Sequence, residues 1–198
     1  MKLFAISNKG NTCFFNSALQ LMAPLFLDPV IIKYKSEMPQ LHYLFSIYQE
    51  IINSNDISNP SLKKMIDRYK LMDKSYQFGK PGDADEVFTQ IYKYIDDSII
   101  SKYVSCNPAK PSYYLFVNLH QYPNHNIEIM KVIDNKNYLL VSAIIYSGGH
   151  WTSLRLIKGE TEFHDYYFIN DIQSIKLSRN QLIKVMSSQI ITVCYIKN

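Results

Sequence analysis

Cysteine is scarce in this chain: 198 residues carry three, Cys13, Cys106 and Cys194. No two of them form a C-x-x-C pair, which excludes a structural zinc site built from thiolate pairs. An odd, sparse set does not make a disulfide framework either, and it fits a reducing compartment. Charge of one sign is also missing in any concentrated form. Lys and Arg number 21 against 17 Asp and Glu, a formal +4, and no five basic residues stand in a row. Nucleic acid is therefore not an expected partner. Long apolar runs are absent too. The longest, LQLMAPLFLDPVII, is broken by Asp28 and two prolines, so no membrane span is expected. The opening MKLFAISNKG turns polar too soon for a signal peptide. No internal repeat and no low-complexity segment interrupts the chain.

What is present suits one domain with a substantial core: 47% hydrophobic and 19% charged residues over a length typical of a single domain. The two halves differ in period. In QLHYLFSIYQEIIN the apolar positions Leu41, Leu44, Phe45, Tyr48, Ile51 and Ile52 follow a helical spacing. SLKKMIDRY repeats it with Leu62, Met65, Ile66 and Tyr69. DADEVFTQIYKYIDDSII carries it through Val87, Phe88, Ile91, Ile95 and Ile99, and opens with Asp83 and Glu86 in capping-box spacing. Beyond about residue 110 the segments SYYLFVNL, NIEIMKVI, YLLVSAIIYS, HWTSLRLIK, EFHDYYFI and IITVCYI are short and rich in β-branched and aromatic residues. One helix, SRNQLIKVMSS, interrupts them with Ser178 as N-cap. Helices followed by strands predict an α+β fold with a mainly antiparallel sheet, and a cleft between a helical and a sheet lobe.

Cys13 stands between the turn-forming residues Asn8, Lys9, Gly10 and Asn11 and the helix-forming run FFNSALQLM. It therefore falls in or near a first helical turn, where free N–H groups and the positive end of the helix dipole favour a thiolate. Cys106, in a connecting segment, and Cys194, in an apolar strand, read as small buried hydrophobes. A nucleophilic cysteine needs a base, and the base an orienter. Of the five histidines, His150 follows Gly148 and Gly149 at the start of a strand, whereas His42, His120, His125 and His164 read as structural. His150 also fits a plain turn position in a Gly-Gly hairpin. Asn170 and Asp171 end the strand DYYFI, which neighbouring antiparallel pairing would bring beside His150. Both residue types are also common strand terminators. Cys-His-Asn is an arrangement used by papain-like proteases.

Four stretches, in order, resemble the ubiquitin-specific proteases. NKGNTCFFNSALQ resembles their cysteine box, GKPGDADEVFTQIYKYI the acidic box at the head of a helix, YLLVSAIIYSGGHWTSLRL the histidine box, and DYYFINDIQSI the closing element. The resemblance implies a papain-like α+β fold: one catalytic domain over 1–198, with a helical lobe at 1–105 carrying the nucleophile and a β lobe at 106–198 carrying the base. It implies Cys13 as nucleophile, His150 as general base, and Asn170 as third member with Asp171 as assistant or substitute. Asn8 would donate to the oxyanion beside the Cys13 backbone N–H, an effect often worth ~3 kcal/mol. Asp83 and Glu86 match positions that hold the basic, Gly-Gly-ending tail of ubiquitin, though a helix cap would equally occupy Asp83. Gly149 and Trp151 match residues that narrow the channel around the tail glycines.

The implied activity is hydrolysis of the peptide or isopeptide bond after the ubiquitin Gly-Gly terminus through a thioester. It needs no cofactor and no metal, and it acts inside a eukaryotic or host cell on ubiquitin or ubiquitinated proteins. Departures from the pattern are Pro81 and Gly82 in place of two glutamines, Val87, Lys9, Tyr166 in place of a tryptophan, and a short stretch between Cys13 and His150 without the family's zinc-binding fingers. That leaves two alternatives open: a protease for a ubiquitin-like modifier or another Gly-Gly site, and a module that binds ubiquitin without cleaving it.

Overall fold

The computed structural model describes residues 3, 4, 6, 8, 11–53, 67, 79–157 and 165–198. Helix α1, Cys13–Phe26, is buried along its whole length. Its apolar residues face every direction, the pattern of a helix enclosed by protein, and it packs on the sheet and against three other helices. Three polar residues are buried with it, Asn16, Ser17 and Gln20. Two of them hold the N-terminal segment: Asn16 Nδ2 donates to the Ile6 carbonyl at 3.1 Å and Gln20 Nε2 to the Phe4 carbonyl at 2.8 Å. Four residues of helix rise about as far as two residues of extended chain, so the two amides and the two carbonyls are in step.

A short helix, α2 at Pro29–Ile32, follows, capped by Asp28 with proline in its first turn. Helix α3 spans His42–Asn53, and its spaced residues Leu44, Phe45, Tyr48 and Ile51 are buried as the period requires. Helix α4 spans Ala84–Asp96 and buries Val87, Phe88, Ile91 and Ile95. The expected continuation to Ile99 fails: the helix stops at Asp96, Ile99 is 40% exposed, and Ile100 takes the core position. The helix expected over SLKKMIDRY lies, apart from Asp67, outside the described residues.

The second half builds the sheet. Its strands are β1 Val104–Ser105, β2 Tyr114–Asn118, β3 Met130–Ile133, β4 Lys136–Ser147, β5 His150–Ile157, β6 Asp165–Asn170, β7 Gln173–Lys176 and β8 Ile190–Lys197. They lie in the order β1-β2-β8-β4-β5-β6-β7, with β3 on the part of β4 that β5 does not reach. Every pairing is antiparallel except β1 with β2. This is the expected α+β architecture of helices followed by a mainly antiparallel sheet. Helix α5, Arg179–Met186, interrupts the strands as expected. Ser178 and Gln181 close a full capping box at its start. Residues of α1, α3, α4, β2, β4, β5 and β8 share one hydrophobic core.

Two hairpin ends fix the geometry that matters below. Ser147 pairs with His150 across Gly148 and Gly149, whose φ values are 58° and 85°. A two-residue loop with both central residues at positive φ matches the twist of the strands and favours glycine. Asn170 pairs with Gln173 across Asp171 and Ile172, and Asp171 sits at φ 49°. Among the described residues no helix is long and apolar enough to cross a membrane.

Candidate functional site

Cys13 is the first residue of α1 and is 9% exposed. The turn before it is held from within. Asn8 Oδ1 accepts from the Thr12 backbone N–H at 2.9 Å and faces the Thr12 hydroxyl at 3.3 Å. The Asn8 amide carbonyl is thus engaged, and its NH2 group, on an exposed residue, is the end that can donate outward. Asn11 sits at φ 60° and donates from Nδ2 to the Gly79 carbonyl at 2.7 Å, which fastens the turn on the other side.

His150 meets Asn170. Its Nε2 lies 2.7 Å from Asn170 Oδ1. The register explains the meeting. Ser153 pairs with Ile169, so Asn170 stands opposite Thr152, and His150 shares the face of Thr152 two residues along. Diagonal neighbours on one face are within reach of long side chains. An amide oxygen only accepts, so Nε2 is the donor in this pair, and a ring with one proton would keep Nδ1 as an acceptor. Asp171 is the more distant neighbour: its Oδ2 lies 3.8 Å from His150 Nε2, beyond hydrogen-bond length. The other oxygen, Oδ1, accepts from Asn16 Nδ2 at 2.9 Å, and the Asp171 carbonyl accepts from the Ile6 N–H at 3.1 Å. The hairpin that presents Asn170 is therefore tied to α1 one turn beyond Cys13.

The remaining sequence-derived positions cluster at the head of α4. Asp83 is the N-cap, accepting from the Asp85 N–H at 2.7 Å and the Glu86 N–H at 3.4 Å. The capping reading of Asp83 thus has its hydrogen bonds. Glu86 is exposed in the first turn. Trp151 is nearly buried, packs on Tyr146, and donates from Nε1 to the Gly82 carbonyl at 3.0 Å, which joins β5 to the loop before α4. A cavity of about 700 Å³ opens here, lined by Asp83, His120, Tyr146, Trp151, Gln189 and Ile190 among others. At Gly149 a Cβ would meet nothing among the described residues within 4 Å, so its backbone conformation, φ 85°, is what calls for glycine.

Three residues carry more of this arrangement than the sequence reading gave them. Asn16 bridges α1, the N-terminal segment and the Asp171 hairpin. Gly82 lies so close to Phe14 that a Cβ would stand 2.5 Å from the ring. Asp85, half-buried, accepts from Asn118 at 2.5 Å and from the Thr192 hydroxyl at 2.6 Å, which anchors α4 to β2 and β8. Burial pushes its carboxyl above the ordinary value. The Thr192 hydrogen bond pulls the other way, and neighbouring Asp83 adds to the rise. The available signal for Asn16 was its polarity inside an otherwise apolar helix.

No family model and no curated protein matches the sequence. Solved structures do match. A chain of the SAGA DUB module Ubp8/Sgf11/Sus1/Sgf73 bound to monoubiquitin aligns over 99% of this chain and 69% of its own, with TM-score 0.71 and 13% identity. The same module bound to ubiquitin aldehyde gives TM-score 0.66 at 11% identity, over 99% and 70% of the two chains. A third structure of the module gives 0.64 at 14%, over 99% and 68%. The likeness at these identities is one of fold: the chain has the α+β fold of a ubiquitin-specific protease catalytic domain.

Proposed function

We propose that this chain is a thiol-dependent hydrolase that cleaves the peptide or isopeptide bond after the C-terminal Gly-Gly of ubiquitin, with residues 1–198 acting as one catalytic domain inside a eukaryotic or host cell. The observation that carries the reading is the His150–Asn170 pair at 2.7 Å; with Asn170 accepting from Nε2, Nδ1 would serve as the proton acceptor. A base so oriented is what a cysteine at a helix head requires. The Asn16–Asp171 contact supports it by tying that helix to the hairpin of Asn170.

In the proposed cycle His150 accepts the Cys13 thiol proton, and Sγ attacks the carbonyl of the terminal glycine. The oxyanion is held by the Asn8 amide and the Cys13 backbone N–H. Collapse breaks the C–N bond, and His150 gives its proton to the departing lysine ε-amine or α-amine. A water molecule, losing a proton to His150, then attacks the thioester, releases the modifier carboxylate and restores the thiol. Asn170 keeps the ring in one tautomer throughout. The exposed carboxylates of Asp83 and Glu86 attract the basic tail, and Trp151 borders its path.

The test is covalent capture with ubiquitin bearing a C-terminal electrophile, read by intact mass on the wild type and on Cys13→Ala. One adduct that vanishes in the variant is expected. No adduct from a protein whose Cys13 still takes a small alkylating agent would reject ubiquitin as the modifier. Adduct on both proteins would reject Cys13 as the nucleophile.

A further inference from the structure

Asp171 is acidic and neighbours His150, yet the amide of Asn170 holds the hydrogen bond, and α1 carries the residue that bears on this. The Asn16 side chain is nearly buried and spends its Nδ2 on two acceptors, the Ile6 carbonyl at 3.1 Å and Asp171 Oδ1 at 2.9 Å. Both partners only accept, so the amide cannot be turned the other way. Its Oδ1 is left buried with no hydrogen-bond partner among the described residues. An orphaned buried acceptor weakens a fold, and native proteins hold few of them. The Asn16 geometry does something else: it holds the Asp171 carboxylate back, at 3.8 Å from His150 Nε2. The Ile6 N–H to Asp171 carbonyl bond and the positive φ of Asp171 fix the backbone in the same pose.

We infer that Asn16 is a positioning residue that withholds Asp171 from His150 and so assigns the orienting role to Asn170. The inference rests on the reading of Cys13 as nucleophile and His150 as base. With Asn16 in place, the ring is oriented by a neutral acceptor. Without it, nothing on α1 competes for Asp171 Oδ1, and a short rotation brings the carboxylate to Nε2.

The experiment measures alkylation of Cys13 by chloroacetamide, located by peptide mass, on the full chain with Asn170→Ala or Asp171→Ala, each with and without Asn16→Leu. In the native background Asn170→Ala should slow the reaction at least tenfold and Asp171→Ala less than threefold. With Asn16→Leu the order should reverse. A loss of packing would slow all variants alike and would not exchange the two. Turnover of a ubiquitin substrate should show the Asn16→Leu effect in kcat with KM unchanged. An unchanged order, with Cys13 reactive, overturns the inference and leaves the proposed function standing. A Cys13 that is inert in the native chain defeats both. Asn16→Asp, close in shape, replaces Asn16→Leu if that variant does not fold, with the same reversal expected. If neither folds, Asp171→Asn in the native background decides. A rate within twofold of wild type supports the inference, because an amide still accepts from Asn16. A tenfold loss means the carboxylate already serves His150 and overturns it.

Discussion

Replacing Gly82 by alanine tests whether the two halves of the site are pressed together as described. A Cβ at this position would lie 2.5, 2.7 and 2.9 Å from three atoms of the Phe14 ring, where ordinary contacts begin at 3.4 Å. The ring would have to retreat by about 0.9 Å. It has little room, because Phe14 is 1% exposed and stands 4.5 Å, centroid to centroid, from Phe15. Overpacking of a filled core costs about 1–3 kcal/mol, and a rigid ring with no exit belongs near the top of that range. We therefore expect Gly82→Ala to lose about 2–3 kcal/mol in urea unfolding, or about 5–10 °C in Tm for a chain of this size. Phe14 follows Cys13 directly, so Cys13 alkylation should slow with it. The specific check is a double-mutant cycle. Phe14→Leu alone should cost about 1 kcal/mol, and the pair should cost at least about 1 kcal/mol less than the sum, because the truncated side chain frees the space. A Gly82→Ala variant within about 0.5 kcal/mol of wild type, or a pair that is simply additive, refutes the close approach.

Other outcomes separate backbone from charge. Gly149→Ala meets open space at φ 85°, so only conformation penalises it, and a loss of about 1–2 kcal/mol in urea unfolding is expected. Glu86→Arg should weaken ubiquitin binding by calorimetry while moving Tm by less than about 2 °C; a purely thermal effect would make Glu86 a helix-start residue and nothing more. The Asp85 carboxyl is raised in the folded state, so the folded chain holds its proton more tightly than the unfolded chain. That contribution is present below the ordinary carboxylate value and is lost as pH rises through the raised one. Comparing urea midpoints of wild type and Asp85→Asn from about pH 4 to about pH 7 should show a decline in the wild type that the variant lacks. Parallel curves would remove Asp85 as its source.

The elements that could be read from the sequence are those whose cause is local. The period of α3, the cap at Asp83, the capping box at Ser178 and the Gly-Gly loop before His150 each depend on residues a few positions apart. The proximity of His150 and Asn170, 20 residues apart, follows once their two strands are expected to pair antiparallel. What escaped has distant or weak causes. Strand β7 is exposed at every residue and has no alternation to betray it. Strand β1 is two residues long and exists through its parallel partner. Helix α2 reads as part of an apolar run until Asp28 and Pro29 are seen to start it. The end of α4 at Asp96 moved the core position from Ile99 to Ile100, a shift that a continuous period cannot foresee. Asn16 is the sharpest case: its partner Asp171 is 155 residues away, so no spacing rule could pair them.

The distribution of causes bears on why a short chain can keep the chemistry proposed for it. The groups that would react come from one helix head and the ends of two hairpins. Each of these is set by turn geometry: Asn8 on Thr12 before α1, Gly148 and Gly149 before β5, Asp171 after β6. The joints between them are a few buried amide contacts, Asn16 to Ile6 and Asp171, and Gln20 to Phe4, with Arg155 on β5 donating to Gln20 Oε1 at 2.8 Å. These amide contacts do not reach the segment between α3 and α4, whereas Asn11 to the Gly79 carbonyl and Trp151 to the Gly82 carbonyl do. Under the proposed function, lack of a zinc-binding extension would remove surface for gripping a globular partner and would leave these amide contacts in place. Affinity and turnover should therefore separate in this chain. Relative to a longer enzyme of the same fold, the deficit should fall on KM, whereas changes at Asn16 or Asn170 should fall on kcat.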